Sequence, residues 1–265
     1  MTECYRSDTL QGGVVKMFMD GVLDSGTAVV LDDYPDRPHW RGEPLFSQAR
    51  FNEVATAADK MGLQIAVHAI GDGAVRMTLD GYEAARRANG RRDSRHRIEH
   101  VELHHPADLK RFKALGVLAS MQPSHVPGHS GLPLEPTVSK IGAAKWPHAF
   151  SWQTIRNAKV PLVFGTDWPV SDISPLRTIH TAVTRKEWGE NMRSQRQTLF
   201  DTLHSYTAMG AYAEFAEGRK GVLKKGALAD AVVLSEDIEA VDSELLANVG
   251  VDVTVMGGKV VHGET

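Results

Sequence analysis

One cysteine, Cys4, stands in the 265 residues, so no disulfide forms within the chain and no cysteine-based zinc cluster is available. Long apolar runs are missing too. Nowhere do the roughly 18 apolar residues of a membrane span follow one another, and the opening residues 1–8 lack the apolar core of a secretory leader. Neither sign of charge dominates: 30 Lys+Arg against 33 Asp+Glu leaves a formal net charge of −3, which gives no electrostatic reason to expect nucleic acid or an anionic membrane as partner. Internal repeats, low-complexity tracts and a Walker lysine are absent, and Gly71-Asp-Gly73 lacks the third glycine of a dinucleotide loop. The expectation is a cytoplasmic protein acting on a small molecule.

What is present is the composition of a folded protein, 42% hydrophobic and 24% charged, long enough for one large α/β domain or two smaller ones. Gly13 to Met19 reads as a buried strand interrupted by Lys16, and residues 24–45 as a long loop suited to a binding site. Ser47 is placed to cap a helix with Phe51, Val54, Ala55, Ala58 and Met61 inward and Gly62 at its stop. Strands follow at 64–70, 97–101, 117–122 and 161–167, alternating with helices at about 73–89, 106–116 and 146–158, and another helix opens at Ser174. Five strands alternating with helices imply consecutive βα units and a parallel sheet. One helix is expected over 198–217. After it, a strand at 226–234 and a hairpin turning at Gly257-Gly258 form a small β-module, so the domains divide at 1–218 and 219–265.

In parallel α/β folds the chemistry gathers at the carboxyl ends of the strands. His68, His100 and Asp167 sit at three such ends. Imidazole and carboxylate are the ligand types of zinc, iron or manganese, and ligands on separate strands need no fixed local spacing. Lys16 in an apolar strand is either half of a buried salt bridge or, with its pKa lowered by burial, a neutral amine that carbon dioxide converts to a metal-bridging carbamate. Of the other histidines, His104, His105, His129, His148, His180, His204 and His262 are assigned to the surface or to loops. A lone strand histidine or an aspartate before Trp-Pro also has structural uses, as a hydrogen-bonded core residue or a helix cap.

Val15-Lys-Met-Phe-Met-Asp-Gly21, His68-Ala-Ile-Gly-Asp-Gly-Ala74, Arg97-Ile-Glu-His100, Ser120-Met-Gln-Pro123, Phe164-Gly-Thr-Asp-Trp-Pro-Val170 and Leu228-Ala-Asp-Ala-Val-Val233 occur in the order seen in the amidohydrolase superfamily. They most resemble its amidohydrolase family 3, the branch like N-substituted formamide deformylase. The resemblance implies a (β/α)8 TIM-barrel metal-dependent hydrolase with a β-sandwich module, acting on carbon–nitrogen (non-peptide) bonds such as those of amides or formamides. It further implies that Lys16, His68, His100 and Asp167 are metal ligands, with Asp167 also catalytic, and that the cofactor is a divalent metal, zinc foremost. Asp72, His125 and Trp168 would line the substrate pocket.

The chain departs from that family by containing no His-x-His pair and only 15 residues ahead of Lys16. The five βα units match strands four to eight of the barrel, so an incomplete barrel is expected, holding one or two ions in the intact family member and one or none here. A homo-oligomer or a complementing N-terminal segment would then cover the open sheet. The alternatives are a catalytically silent, truncated remnant acting as an oligomerising or interaction module and, in fold, an autonomous doubly wound sheet of five strands.

Overall fold

The computed structural model describes residues 7, 9–190 and 192–263; Cys4 lies outside them. Contacts divide the chain into two compact units, one of residues 1–121, 133–162 and 188–193, the other of 122–132, 163–187 and 194–265.

The first unit holds a parallel sheet of β1 (Val14–Phe18), β2 (Gln64–Ala69), β3 (Arg97–His100) and β4 (Leu118–Met121). Strand order is sequence order, β1-β2-β3-β4-β5, with β5 (Leu162–Phe164) entering through its first residue in this unit. Helices α1 (Gln48–Lys60), α2 (Asp72–Asn89) and α3 (Leu109–Leu115) fill the crossovers, as the βα alternation predicts. Ser47 accepts from the Arg50 N–H as the N-cap of α1, and Gly116 ends α3 in the left-handed region. All six residues of β2 are buried. Phe51 of α1 packs against Gly81 of α2, where an added Cβ would lie 2.3 Å from the phenyl ring, so glycine there sets the approach of the two helices.

Several expectations are corrected. β1 is the edge strand rather than a buried one: Met17 is buried, but Val14, Lys16 and Phe18 on its other face are exposed. Lys16 therefore lacks the burial that conversion to a carbamate would draw on. Met61 lies beyond the last turn of α1 and is exposed. The helix expected at 146–158 is broken into a 3-10 turn, Trp146–His148, and α5 (Trp152–Asn157), with α4 (Thr137–Ile141) ahead of both. Tertiary pairing overrides local periodicity there: the Phe150 N–H donates to the Glu102 carbonyl at 2.6 Å and Leu103 bridges Ala149. His104 lies in a loop, as one half of the expectation has it, but is buried there rather than at the surface, with Nε2 2.7 Å from Ser151 Oγ.

The second unit contains α6 (Pro175–Thr184), α7 (Leu199–Tyr206), α8 (Ala208–Ala213) and the antiparallel sheet β6 (Ala231–Leu234), β7 (Val251–Met256) and β8 (Lys259–His262). The single helix expected over 198–217 is split at Thr207, whose ψ of −77 leaves the helical path. Leu176 and Ile179 of α6 share a core with Leu246 and Val249.

His96, just before β3, shows how the first unit treats a buried imidazole. The Ile65 N–H donates to its Nδ1 at 3.1 Å, so Nδ1 is unprotonated, and Nε2–H faces Asp59 Oδ1 at 3.1 Å. Burial pushes His96 down to about 4, against the pull of Asp59. Burial also pushes the Asp59 carboxyl up, but hydrogen bonds from Asn89 and Arg92 outweigh it and leave that pKa below the usual value. An unfolded histidine takes its proton near 6.5, so stability is whole above that pH, drains as pH falls toward 4, and changes no further below. The window corresponds to roughly 3 kcal/mol, and His104, likewise held down to about 4 by burial, adds to it. The urea midpoint is expected to fall between pH 6.5 and 4, less steeply in His96→Asn, whose amide oxygen still accepts from Ile65; a flat profile would contradict the buried neutral imidazole. Gly81→Ala is expected to lose about 1–3 kcal/mol in the same assay by driving a methyl into Phe51.

Candidate metal centre

In the first unit the buried Asp20, which follows β1 by two residues, organises the strand ends. Its carboxylate accepts three backbone N–H groups, from Val29 at 2.8 Å, Ile70 at 3.0 Å and Gly71 at 2.9 Å. Burial pushes the carboxyl up to about 7, while the three N–H donors favour its charged form and Glu102 opposes it. The Val29 carbonyl in turn accepts from Gly73 and Ala74 at the start of α2. A Cβ at Gly71 would lie 2.0 Å from that carbonyl oxygen, so the His68-to-Ala74 motif needs glycine to let the 28–30 segment close on it. Nothing in the sequence singles out Asp20 beyond the Asp20-Gly21 pair that follows the first strand.

His68, at the end of β2, lies under this clamp. Its Nε2 is 3.0 Å from the Gly21 carbonyl and 3.7 Å from Asp20 Oδ1. A carbonyl only accepts, so Nε2 carries the hydrogen and the lone pair of the neutral ring is on Nδ1. Tying one imidazole N–H to backbone is the arrangement that orients a metal-binding histidine. His100, at the end of β3, has φ +78, and Val101 after it φ +48. A β-branched residue in that region is strained by about 1–3 kcal/mol. Regular alternation pairs His100 with Ala69 and turns it away from the His68 side; the left-handed backbone breaks that alternation and sets the two rings edge to face, 4.5 Å between centroids. Phe18 lies 5.1 Å from His68, and the Lys16 ammonium stands 5.0 Å from the centre of the Phe18 ring. Lys16, His68 and His100 therefore form a contiguous series across β1, β2 and β3. Asp72, buried at the start of α2, is engaged structurally: Oδ1 accepts from Leu31 at 2.9 Å and Oδ2 is 3.6 Å from Lys145 Nζ. Two neighbouring imidazoles, one with a fixed tautomer, fit a divalent cation.

In the second unit β5 ends at Phe164, three residues short of Asp167, which is exposed and has φ +58. His125, in the 3-10 turn Pro123–His125, brings Nε2 to 4.0 Å from Asp167 Oδ2. Trp168 is exposed beside them. Three of the residues singled out from the sequence thus meet in this unit, and three more in the other.

A sequence model described as "Amidohydrolase family" matches residues 2–262. Protein LONG AFTER FAR-RED 3 of Arabidopsis thaliana is 37% identical over 96% of this chain and 43% of its own length. N-substituted formamide deformylase of Arthrobacter pascens is 26% identical over 86% and 41%. The crystal structure of an uncharacterized metal-dependent hydrolase from Pyrococcus horikoshii OT3 superposes with a TM-score of 0.74 at 29% identity, covering 86% of this chain and 45% of that one. The chain spans less than half the length of each of these proteins.

Strain held for a ligand leaves a distinct signature on mutation. Asparagine tolerates the left-handed region, so His100→Asn is expected to keep the unfolding free energy within about 1 kcal/mol, while metal content measured by plasma mass spectrometry falls. A loss above roughly 3 kcal/mol with metal retained would make His100 a packing residue.

Proposed function

The chain belongs to the amidohydrolase family, and from that premise we propose that it works as a metal-dependent hydrolase of carbon–nitrogen bonds other than peptide bonds, in small amides or formamides. The observation that carries the reading is the His68–His100 pair, with His68 Nε2 held by the Gly21 carbonyl. We take the cation to be zinc, which neutral imidazoles suit, and assign one ion to this pair. In the same reading the five parallel strands correspond to strands four to eight of a (β/α)8 barrel, and a second copy or a complementing N-terminal segment covers the exposed face of β1.

When bound, such a cation polarises a carbonyl oxygen and lowers the pKa of water, so that a nucleophile is available near neutral pH. His68 would hold such a cation through Nδ1, the ring nitrogen opposite the one bonded to the Gly21 carbonyl. The Asp20 carboxylate near Nε2 steadies the ring and raises its basicity. His100 presents the second imidazole. Asp167 accepts the proton of the attacking water on a carboxylate oxygen and delivers it to the leaving nitrogen, which departs as a neutral amine. His125 orients that carboxylate from 4.0 Å. Lys16, exposed on β1, takes no part in holding this ion, and Asp72 acts by fixing the loop at Leu31.

Protein purified without chelator is expected to retain zinc and release amine from simple amides and formamides, with turnover lost on chelation and restored by zinc. Asp167→Asn should lower kcat by roughly 10²–10⁴-fold with metal retained, whereas His100→Ala should lose metal and turnover together. Retained metal with no amine release from any amide would identify the silent remnant instead.

A further inference from the structure

His104 and His148 meet on a short ribbon of the first unit. Leu103 bridges Ala149 in the antiparallel sense, which sets His104 directly opposite His148, and the His104 N–H donates to the His148 carbonyl at 3.3 Å. Residues opposed in this way carry their side chains on one face. The two imidazoles lie 5.7 Å apart between ring centres, tilted by 55°.

The surroundings of these rings differ from those of an imidazole kept for packing. His96 has a protein partner at each nitrogen. His104 is 1% exposed, yet only its Nε2 is bonded, to Ser151 Oγ at 2.7 Å, and its buried Nδ1 has no hydrogen-bond partner. The backbone of His105, the main influence on that ring besides burial, stands outside bonding geometry. Either tautomer leaves Nδ1 unmet, as an N–H without an acceptor or a lone pair without a donor. His148 is half-buried, and among the described residues its ring hydrogen-bonds to none. Burial holds both histidines below their ordinary pKa, and the charge of His105 adds to this at His148. Each neutral ring carries a lone pair, so an ion entering at pH 7 displaces no proton.

We propose that His104 and His148 hold a divalent transition-metal ion of the zinc or copper class, through His104 Nδ1 and one ring nitrogen of His148, at a site separate from the His68–His100 pair. Ser151 Oγ accepts from His104 Nε2–H and fixes the ring, as the outer partner of a metal-binding histidine does. Water completes the coordination on the open side of His148. Two uncharged nitrogen ligands suit borderline cations rather than calcium or magnesium, which take oxygen. The ion ties the segment after β3 to the one before α5 and stabilises the first unit by mass action.

The test titrates Zn²⁺ into untagged, chelator-stripped His100→Asn, in which the other pair is already broken, and reads the binding heat and the urea midpoint. One ion per chain should bind and raise the midpoint, and Mg²⁺ should do neither. Adding His148→Gln should abolish both effects, while adding Ser151→Ala should weaken Zn²⁺ binding roughly 10–100-fold. A second measurement needs no variant: substoichiometric Cu²⁺ added to the wild type should broaden the imidazole proton signals of His104 and His148 together. Zn²⁺ bound with unchanged affinity after His148→Gln overturns the site, as does a failure of His100→Asn to bind Zn²⁺. Broadening of His148 without His104 also overturns it, by reducing the pair to a single surface histidine.

Discussion

The buried carboxylate of Asp20 is the constraint from which the first unit's strand ends take their shape. Three segments distant in sequence, at Val29, Ile70 and Gly71, each give it one backbone N–H. The balance is narrow: burial pushes the carboxyl up, and with the donors pulling the other way it still stands at about 7. Removing the acceptor would leave three buried N–H groups without it, each costing about 1–3 kcal/mol. Because the same closure presses the Val29 carbonyl on the start of α2, the glycines of the His68-to-Ala74 motif serve backbone approach rather than anion binding.

Strained backbone occurs at residues to which the chemistry is assigned. His100, Val101 and Asp167 all occupy left-handed backbone, which side chains other than glycine adopt at a cost. At His100 the consequence is visible, since the departure from strand alternation is what faces its ring to His68. A fold selected for stability alone would place glycine or asparagine at such positions. The hydrogen bond from His68 to Gly21 complements this: it fixes a tautomer without using the nitrogen that a cation needs.

Much of the scaffold is legible without coordinates. Ser47, Gly62, Asn89 and Gly116 mark helix limits because caps and left-handed stops are local requirements, and β2 is recognisable because a strand covered on both faces is apolar throughout. The misreadings share one cause. Lys16 and Phe18 sit in an apolar run yet are exposed, because β1 is an edge strand and edge position is a property of the whole sheet. His104 is buried, and the helix before α5 is broken, because distant segments bond to them. Asp20, the residue on which the site most depends, looks like any aspartate in a turn.

The sequence by itself determined the alternation of strands and helices, the antiparallel C-terminal strands, the family and the residue types suited to a divalent metal, all of which follow from local periodicity, capping and short motifs. Tertiary structure alone decided which imidazole nitrogen of His68 is tied to backbone and that His100 turns against its strand to meet it. These depend on distances between segments tens of residues apart, and no local pattern encodes where such segments meet.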